Sequence, residues 1–225
     1  MSNRTGCMKN DHNICEHCNL LYPIHTKVCS GCDQPLLLDA SGKIAIWRLG
    51  DIEDGLLGPV AAAIRDAFGC PVVIHPCFID ERPSLRPDWN GRSATTLINQ
   101  MMDRLQQGVL ANLCVTEDNI TCNKDFNFLF GLAWLGLGSA TMGLEPLRAD
   151  DLDTPTLIER MSRIAIHELG HAFGLVDMPY DHGDCVMCGD VENDSTDTID
   201  EGTIAFCEEC ASRLSRMRRS SMRGR

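Results

Sequence analysis

No stretch of this chain is apolar over the eighteen or more residues that a membrane span requires, and no charged-then-apolar leader opens it. The first residues, Met1-Ser2-Asn3-Arg4-Thr5, are polar. These absences set the expectation of a cytoplasmic protein with no membrane partner. Positive charge is also scarce: 20 Lys and Arg stand against 32 Asp and Glu, for a net charge of −12. That balance disfavours a general nucleic-acid binder, which needs a basic surface to meet phosphates. The shortfall is deeper over most of the chain. The last fifteen residues hold six arginines and no acid, which leaves 14 basic against 32 acidic residues in the first 210.

What the chain has in excess is cysteine. Its total of 13 is odd, so disulfide pairing cannot be complete, and eight of the 13 fall in four C-x-x-C pairs. Without a leader, such pairs read as zinc ligands rather than disulfides. Cys15, Cys18, Cys29 and Cys32 form two knuckles ten residues apart, the spacing of a structural zinc ribbon. A segment this small has almost no apolar core, so its folding should depend on the metal. It reads as a docking module or as a cap on the main domain, with the cap preferred. Cys185, Cys188, Cys207 and Cys210 form C-x₂-C-x₁₈-C-x₂-C, a second structural zinc spacing. The acidic stretch between these pairs, Asp190 to Glu201, is expected to be a solvated excursion, and the arginine tail after Arg213 a solvated end.

The stretch His167-Glu168-Leu169-Gly170-His171-Ala172-Phe173-Gly174-Leu175-Val176-Asp177 carries the chemistry. Two histidines four apart on a helix share a face and can grip one tetrahedral Zn²⁺. Glu168 is placed to reach a metal-bound water as general base. Gly174 lets the backbone leave the helix, so that Asp177 returns as third ligand and one coordination position stays open. Leu157, Met161, Ile164 and Ala165 supply the helix's apolar ladder.

Upstream, Lys43 to Leu49 reads as a strand with Ile44 and Ile46 on one side. A helix follows with Leu57, Val60, Ile64 and Phe68 as its stripe, Gly69 at its end and Pro59 in its first turn. Pro71 to His75 reads as a covered strand. Cys70, His75 and Cys77 fit core and rim positions better than ligands. Asp80 to Arg92 is a loop. Ser93 caps a helix to Gln107 with Leu97, Ile98, Met101 and Leu105 buried, and strands follow at Val109 to Val115, Phe126 to Phe130 and Ser139 to Leu144. The order predicts an α/β sandwich around a mixed sheet. The domains are then 1–38, a ribbon-like module; 43–214, the main domain; and 215–225, a basic tail.

The chain resembles the archaemetzincins, metallopeptidases of the metzincin clan. The resemblance lies in the helix motif His167 to Asp177, Cys185-Val186-Met187, Phe206-Cys207-Glu208-Glu209-Cys210, and Asn127-Phe128-Leu129-Phe130-Gly131. It implies a metzincin-like domain with a cleft over the catalytic zinc, Met187 beneath the metal, and Phe126 to Phe130 as the cleft edge on which a peptide lies extended. This chain departs from the family twice. Asp177 stands where the third ligand is usually histidine, and Met178 where the first structural cysteine usually follows it. Cys188 restores a four-cysteine set.

The expected function is hydrolysis of peptides or proteins with three zinc ions per chain, one catalytic and two structural. The rivals are a non-catalytic zinc-stiffened binding protein, a nucleic-acid adaptor using the ribbon and arginine tail, and an Fe²⁺ oxygenase triad in which Glu168 has no task. Tyr180 and His182 are the nearest candidates for a second electrophile, and His182 is the rival third ligand.

Overall fold

The structure is a computed structural model that describes residues 12–14, 21–23, 42–78, 82–86, 89–105, 108–124, 128–148, 152–179, 184–189 and 196–223. Its elements in chain order are β1 (His12–Ile14), β2 (Leu21–Pro23), β3 (Lys43–Leu49), α1 (Asp54–Phe68), β4 (Val72–Phe78), β5 (Arg92–Ser93) and α2 (Ala94–Met102). They continue with β6 (Val109–Thr116), β7 (Ile120–Thr121), β8 (Gly131–Trp134), β9 (Ser139–Gly143), α3 (Thr154–Phe173), α4 (Thr196–Asp200) and α5 (Glu208–Arg223).

Alternation along the strands sorts side chains between two layers. On one face Ile44, Ile46, Ala111, Leu113, Val115, Ala140 and Met142 pack beneath α1 and α3. On the other, Leu49 and Cys114 pack beneath Ala94, Leu97 and Met101 of α2. The sheet order is β4-β3-β6-β9-β8. Its first four strands run parallel, and β8 runs antiparallel at one edge. The result is the expected α/β sandwich with a mixed sheet. Among the described residues, no helix is long and apolar enough to cross a membrane.

The apolar stripes land as patterned. Leu57, Val60, Ile64 and Phe68 are buried on α1, which Gly69 ends in a left-handed conformation. Ser93 caps α2 by accepting from the Thr96 N–H at 3.3 Å. His75 is buried and stacks on Trp47 with ring centroids 3.8 Å apart, a core and rim role rather than ligation.

Several boundaries differ from the expectations. Pro59 is the sixth residue of α1, beyond its first turn; it sits on the exposed face, where water can solvate the carbonyl that its missing N–H leaves unbonded. The second helix stops at Met102 instead of Gln107, because Arg104 and Leu105 turn back onto the carbonyls of Met101 and Met102. The cleft-edge strand is Gly131–Trp134, not Phe126–Phe130. Phe130 is instead buried in the core, and the part of the expected strand at 126–127 lies outside the described residues. The expected tail boundary at 214/215 falls inside α5, which continues to Arg223.

The acidic stretch 190–201 is also not wholly a solvated excursion. Its second half forms α4, where Ile199 is buried. Arg160, 5% exposed on α3, donates from Nε and Nη2 to the two Asp200 carboxylate oxygens at 2.7 and 2.5 Å, and from Nη1 to the Leu147 carbonyl at 2.9 Å. A guanidinium this buried needs an anion, and α4 brings it one. The Arg160 hydrogen bonds hold the Asp200 carboxyl below the usual carboxylate range. The pair's contribution is therefore full above the ordinary carboxylate pKa of about 3.9 and is lost as pH falls toward the depressed folded value. Arg160→Ala should lower stability at pH 7 by about 1–3 kcal/mol in urea denaturation. The difference between variant and parent should shrink below about pH 4. An unchanged midpoint at pH 7 would show that α4 docks without the pair.

Candidate active site

Helix α3 starts at an N-cap, Asp153, whose carboxylate accepts the Thr156 N–H at 2.8 Å, and Pro155 in its first turn suits a position with no helical partner. Leu157, Met161, Ile164 and Ala165 bury its inner face. His167 and His171 follow one turn apart, and Gly174 ends the helix at φ 103. The Gly136 and Gly138 N–H groups, from the β8–β9 turn, donate to the His171 and Ala172 carbonyls at 2.9 Å each. The edge hairpin thus caps the C-terminal end of the helix.

Beyond Gly174 the chain turns back toward the two histidines. His167 Nε2 lies 3.0 Å from His171 Nε2, and Asp177 Oδ1 lies 3.4 and 3.1 Å from the two nitrogens. These separations match a tetrahedron's edge of about 3.3 Å for metal bonds of about 2.0–2.1 Å. The ring orientations fit as well. His167 Nδ1 is 2.9 Å from the Val186 carbonyl, and His171 Nδ1 is 2.8 Å from the Leu175 carbonyl. A carbonyl accepts only from N–H, so each Nδ1 carries a proton and each neutral ring presents a lone pair at Nε2. The three residues fit one small N/O-loving divalent ion.

Without that ion the triad favours protonated imidazole beside carboxylate. Burial disfavours charge on His167, but the Asp177 hydrogen bond, Glu168 and the Val186 carbonyl outweigh it and raise its pKa to about 9. His171 shifts the same way against its burial, chiefly through Asp177. Burial would raise Asp177, yet hydrogen bonds from both histidines hold it well below the usual carboxylate range. A dication would displace that proton.

Glu168 is 8% exposed and lies against β8. A Cβ on Gly131 would meet Glu168 Cγ at 2.4 Å and Oε1 at 2.6 Å, so the carboxyl occupies space that only glycine leaves open. Gly170 plays the same part on the next turn: a Cβ there would meet Met187 Sδ at 2.5 Å. Met187 is fully buried, packed under the helix between the two histidine positions. Glu168 and the triad line a cleft of about 570 Å³, together with Phe128 to Ala133, Val176, Val186, Cys188 and Gly189.

Three residues of the second cysteine set are also gathered. Cys185, Cys207 and Cys210 bring their Sγ atoms within 4.8 Å of one another. The Cys207 and Cys210 N–H groups donate to Cys185 Sγ at 3.3 Å and Cys207 Sγ at 3.4 Å. Cys188 stands outside that group, its Sγ 3.5 Å from the Pro179 carbonyl. Burial and the neighbouring thiols raise Cys210 and Cys188, so a bound cation would have to displace thiol protons. Cys15, Cys18, Cys29 and Cys32 lie outside the described residues, as do Tyr180 and His182. β1 and β2, an antiparallel pair with Asn13 opposite Tyr22, stand on either side of Cys15 and Cys18 in the sequence.

A model described as peptidase family M54 matches residues 97–216, more than half of the chain. The chain belongs to this family. It is 32% identical over 111 residues to archaemetzincin of Archaeoglobus fulgidus, covering 49% of this chain and 64% of that one. With archaemetzincin of Methanocaldococcus jannaschii it shares 28% over 177 residues, 76% of this chain and 92% of the relative. The chain spans 64%, 58% and 60% of the relatives from Archaeoglobus fulgidus, Thermococcus kodakarensis and Pyrococcus furiosus. The fold matches the crystal structure of archaemetzincin from Methanopyrus kandleri with TM-score 0.66 at 21% identity, over 81% of this chain and 98% of that one. It also matches archaemetzincin from Archaeoglobus fulgidus complexed with malonate, with TM-score 0.61 at 26% identity, over 76% and 99%.

Three parts of the site carried no notice in the sequence reading. The Val186 and Leu175 carbonyls are backbone groups and leave no mark in a sequence. Gly131 was visible within Asn127 to Gly131, but not what it makes room for. Arg163, another residue of the cleft wall, lies four positions before His167, and that spacing alone could have pointed to it. Gly131→Ala and Gly170→Ala should each destabilise the fold by about 1–3 kcal/mol through overpacking. Gly55→Ala, on the open face of α1 with nothing within 4 Å of the added atom, should be neutral or stabilising by up to about 1 kcal/mol. Thermal melts of the three variants check this; equal melting temperatures for all would refute the close packing.

Proposed function

We propose that this protein is a zinc-dependent peptidase in which Glu168 is the general base. The observation that carries the proposal is the convergence of His167, His171 and Asp177 beside a buried glutamate in the wall of an open cleft. Membership of peptidase family M54 supports zinc as the ion and peptides or proteins as substrates. His167, His171 and Asp177 would hold the zinc, which would supply Lewis acidity toward the scissile carbonyl and the attacking water. The protein's own groups do the rest. Glu168 takes a proton from the attacking water on a carboxylate oxygen and passes it to the departing amine nitrogen, a transfer worth roughly 10²–10⁴-fold. Gly131 positions that carboxylate by leaving it room. The Nδ1 hydrogen bonds of His167 and His171 hold both rings in the metal-binding tautomer.

Among the described residues β8 pairs on one side only, with β9, and its Gly131, Leu132 and Ala133 line the cleft. A peptide adding to its open edge would run past the triad in extended form. The buried Glu168 also disfavours an Fe²⁺ oxygenase, in which that carboxylate has no part. We assign a structural zinc to Cys185, Cys188, Cys207 and Cys210 on their spacing and on the gathering of three of the thiols. A third zinc on Cys15, Cys18, Cys29 and Cys32 would hold a ribbon module over 1–38, ahead of a peptidase domain over 43–214.

Elemental analysis after zinc-replete purification should give three zinc ions per chain, and a single ion would overturn the count. Glu168→Gln should abolish hydrolysis of a peptide library by at least about 100-fold while keeping the metal, since an amide cannot accept the proton. Retained turnover would exclude Glu168 as the base. Asp177→Ala should lose one zinc and His182→Ala should keep all three; the reverse pattern would make His182 the third ligand.

A further inference from the structure

Arg163 stands one helical turn before His167 on α3 and therefore on the same face, its side chain lining the same cleft as the triad. Its Nη1 donates to the Ile199 carbonyl, and its guanidinium lies where a Cβ of Gly202 would be, so the glycine leaves room for it. Backbone on α4 and just after it thus holds the charged head of a residue that borders the cleft. Asp200 is engaged by Arg160 through both of its oxygens and also feels the charge of Arg163. Among the described residues that line the cleft, Arg163 is the one Arg or Lys, and the acids there are Glu168 and Asp177, both part of the site.

The cleft is chemically lopsided. Past His171 its rim is apolar, with Leu135 and Val176 exposed at 55% and 47%. Before His167 it is bordered by Arg163. We propose, building on the peptidase reading above, that Arg163 sets the specificity of the cleft by pairing with a carboxylate of the substrate near the scissile bond. Four residues of helix advance about 6 Å, and an extended peptide advances about 3.3 Å per residue. The carboxylate is therefore about two residues from the bond that is cut. An arginine fork suits a carboxylate because it offers two parallel N–H donors, which a point charge does not. The carboxylate is either an Asp or Glu side chain or the free C-terminus of a short peptide. The net charge of −12 repels such a peptide from a distance, so the preference comes from the short-range contact and shows mainly in KM.

The test uses the zinc-loaded full chain and a set of quenched fluorogenic peptides built on one cleavable neutral sequence. At each position within three residues of the cut, Glu or Asp replaces Gln or Asn, and each peptide is made with a free or an amidated C-terminus. The parent protein should favour one carboxylate placement by about tenfold or more in kcat/KM. Arg163→Gln should bring that acidic-to-neutral ratio close to one, Arg163→Glu should favour Lys at the same position, and Arg163→Lys should keep part of the original preference. Each ratio is taken within a single variant, so a change in its folded fraction cancels. Loss of preference on amidation assigns the C-terminal carboxylate; loss on Glu→Gln replacement assigns the side chain. Equal cleavage of acidic and neutral peptides by the parent, or an unchanged ratio in Arg163→Gln, would overturn the assignment and leave the peptidase reading standing. Failure of every peptide to be cut would overturn the peptidase reading instead. In that case the same peptides, labelled for fluorescence anisotropy, are titrated against the zinc-loaded protein with and without Arg163→Gln. Tighter binding of the acidic peptides that vanishes in the variant supports the carboxylate contact, and equal binding removes it.

Discussion

Two hydrogen bonds from imidazole to backbone set up the rest of this site. His171 donates to the Leu175 carbonyl and His167 to the Val186 carbonyl. With each Nδ1 anchored, the two Nε2 atoms face each other at 3.0 Å and Asp177 closes the triangle. The anchors have different origins. Leu175 is in place because the helix ends in a left-handed glycine, and its own N–H turns back to the Gly170 carbonyl at 2.9 Å. Val186 belongs to the cysteine-rich segment, where its N–H is held by the Ala205 carbonyl at 2.7 Å. One half of the metal grip is thus local to α3. The other half is borrowed from a segment that a second, thiol-bound ion would staple.

This dependence gives the distant cysteines a mechanical role. Cys185, which directly precedes Val186, clusters with Cys207 and Cys210. The carbonyl that selects the His167 tautomer therefore sits on the residue next to that cluster. Met187 couples the same segment to the helix through close packing, because its sulfur occupies the space that Gly170 leaves. Two glycines on opposite sides of the helix's active face, Gly131 on the strand and Gly170 on the helix, therefore let a carboxylate and a thioether approach closer than any side chain would permit.

The two departures from the family pattern have a common spatial setting. Asp177 and Met178 leave the helix together, and Met178 is a parallel bridge partner of Cys188, with the Met178 N–H on the Met187 carbonyl at 2.8 Å. Residues 178 and 188 are thus neighbours across a strand pair. A thiol moved from one to the other stays in the same region, which supports Cys188 as the replacement for the cysteine that the family carries after its third ligand.

Much of this was written locally. The helix, its apolar ladder and the pair His167 and His171 follow from a 3.6-residue period and a glycine stop, and they hold in the structure. So do the parallel strands around Ile44 and Leu113, whose residues alternate or run apolar in a way that only a covered sheet accepts. The paired cysteines announced themselves by spacing. Tertiary structure decided the rest. It put the edge strand at Gly131–Trp134 because Phe130 is drawn into the core, and it turned half of an acidic loop into α4 because buried Arg160 required a carboxylate. It chose the backbone carbonyls that orient the histidines, and it gave Gly131 the task of admitting Glu168. These outcomes come from contacts between residues tens of positions apart or from atoms that every residue shares. Local periodicity and composition register neither kind.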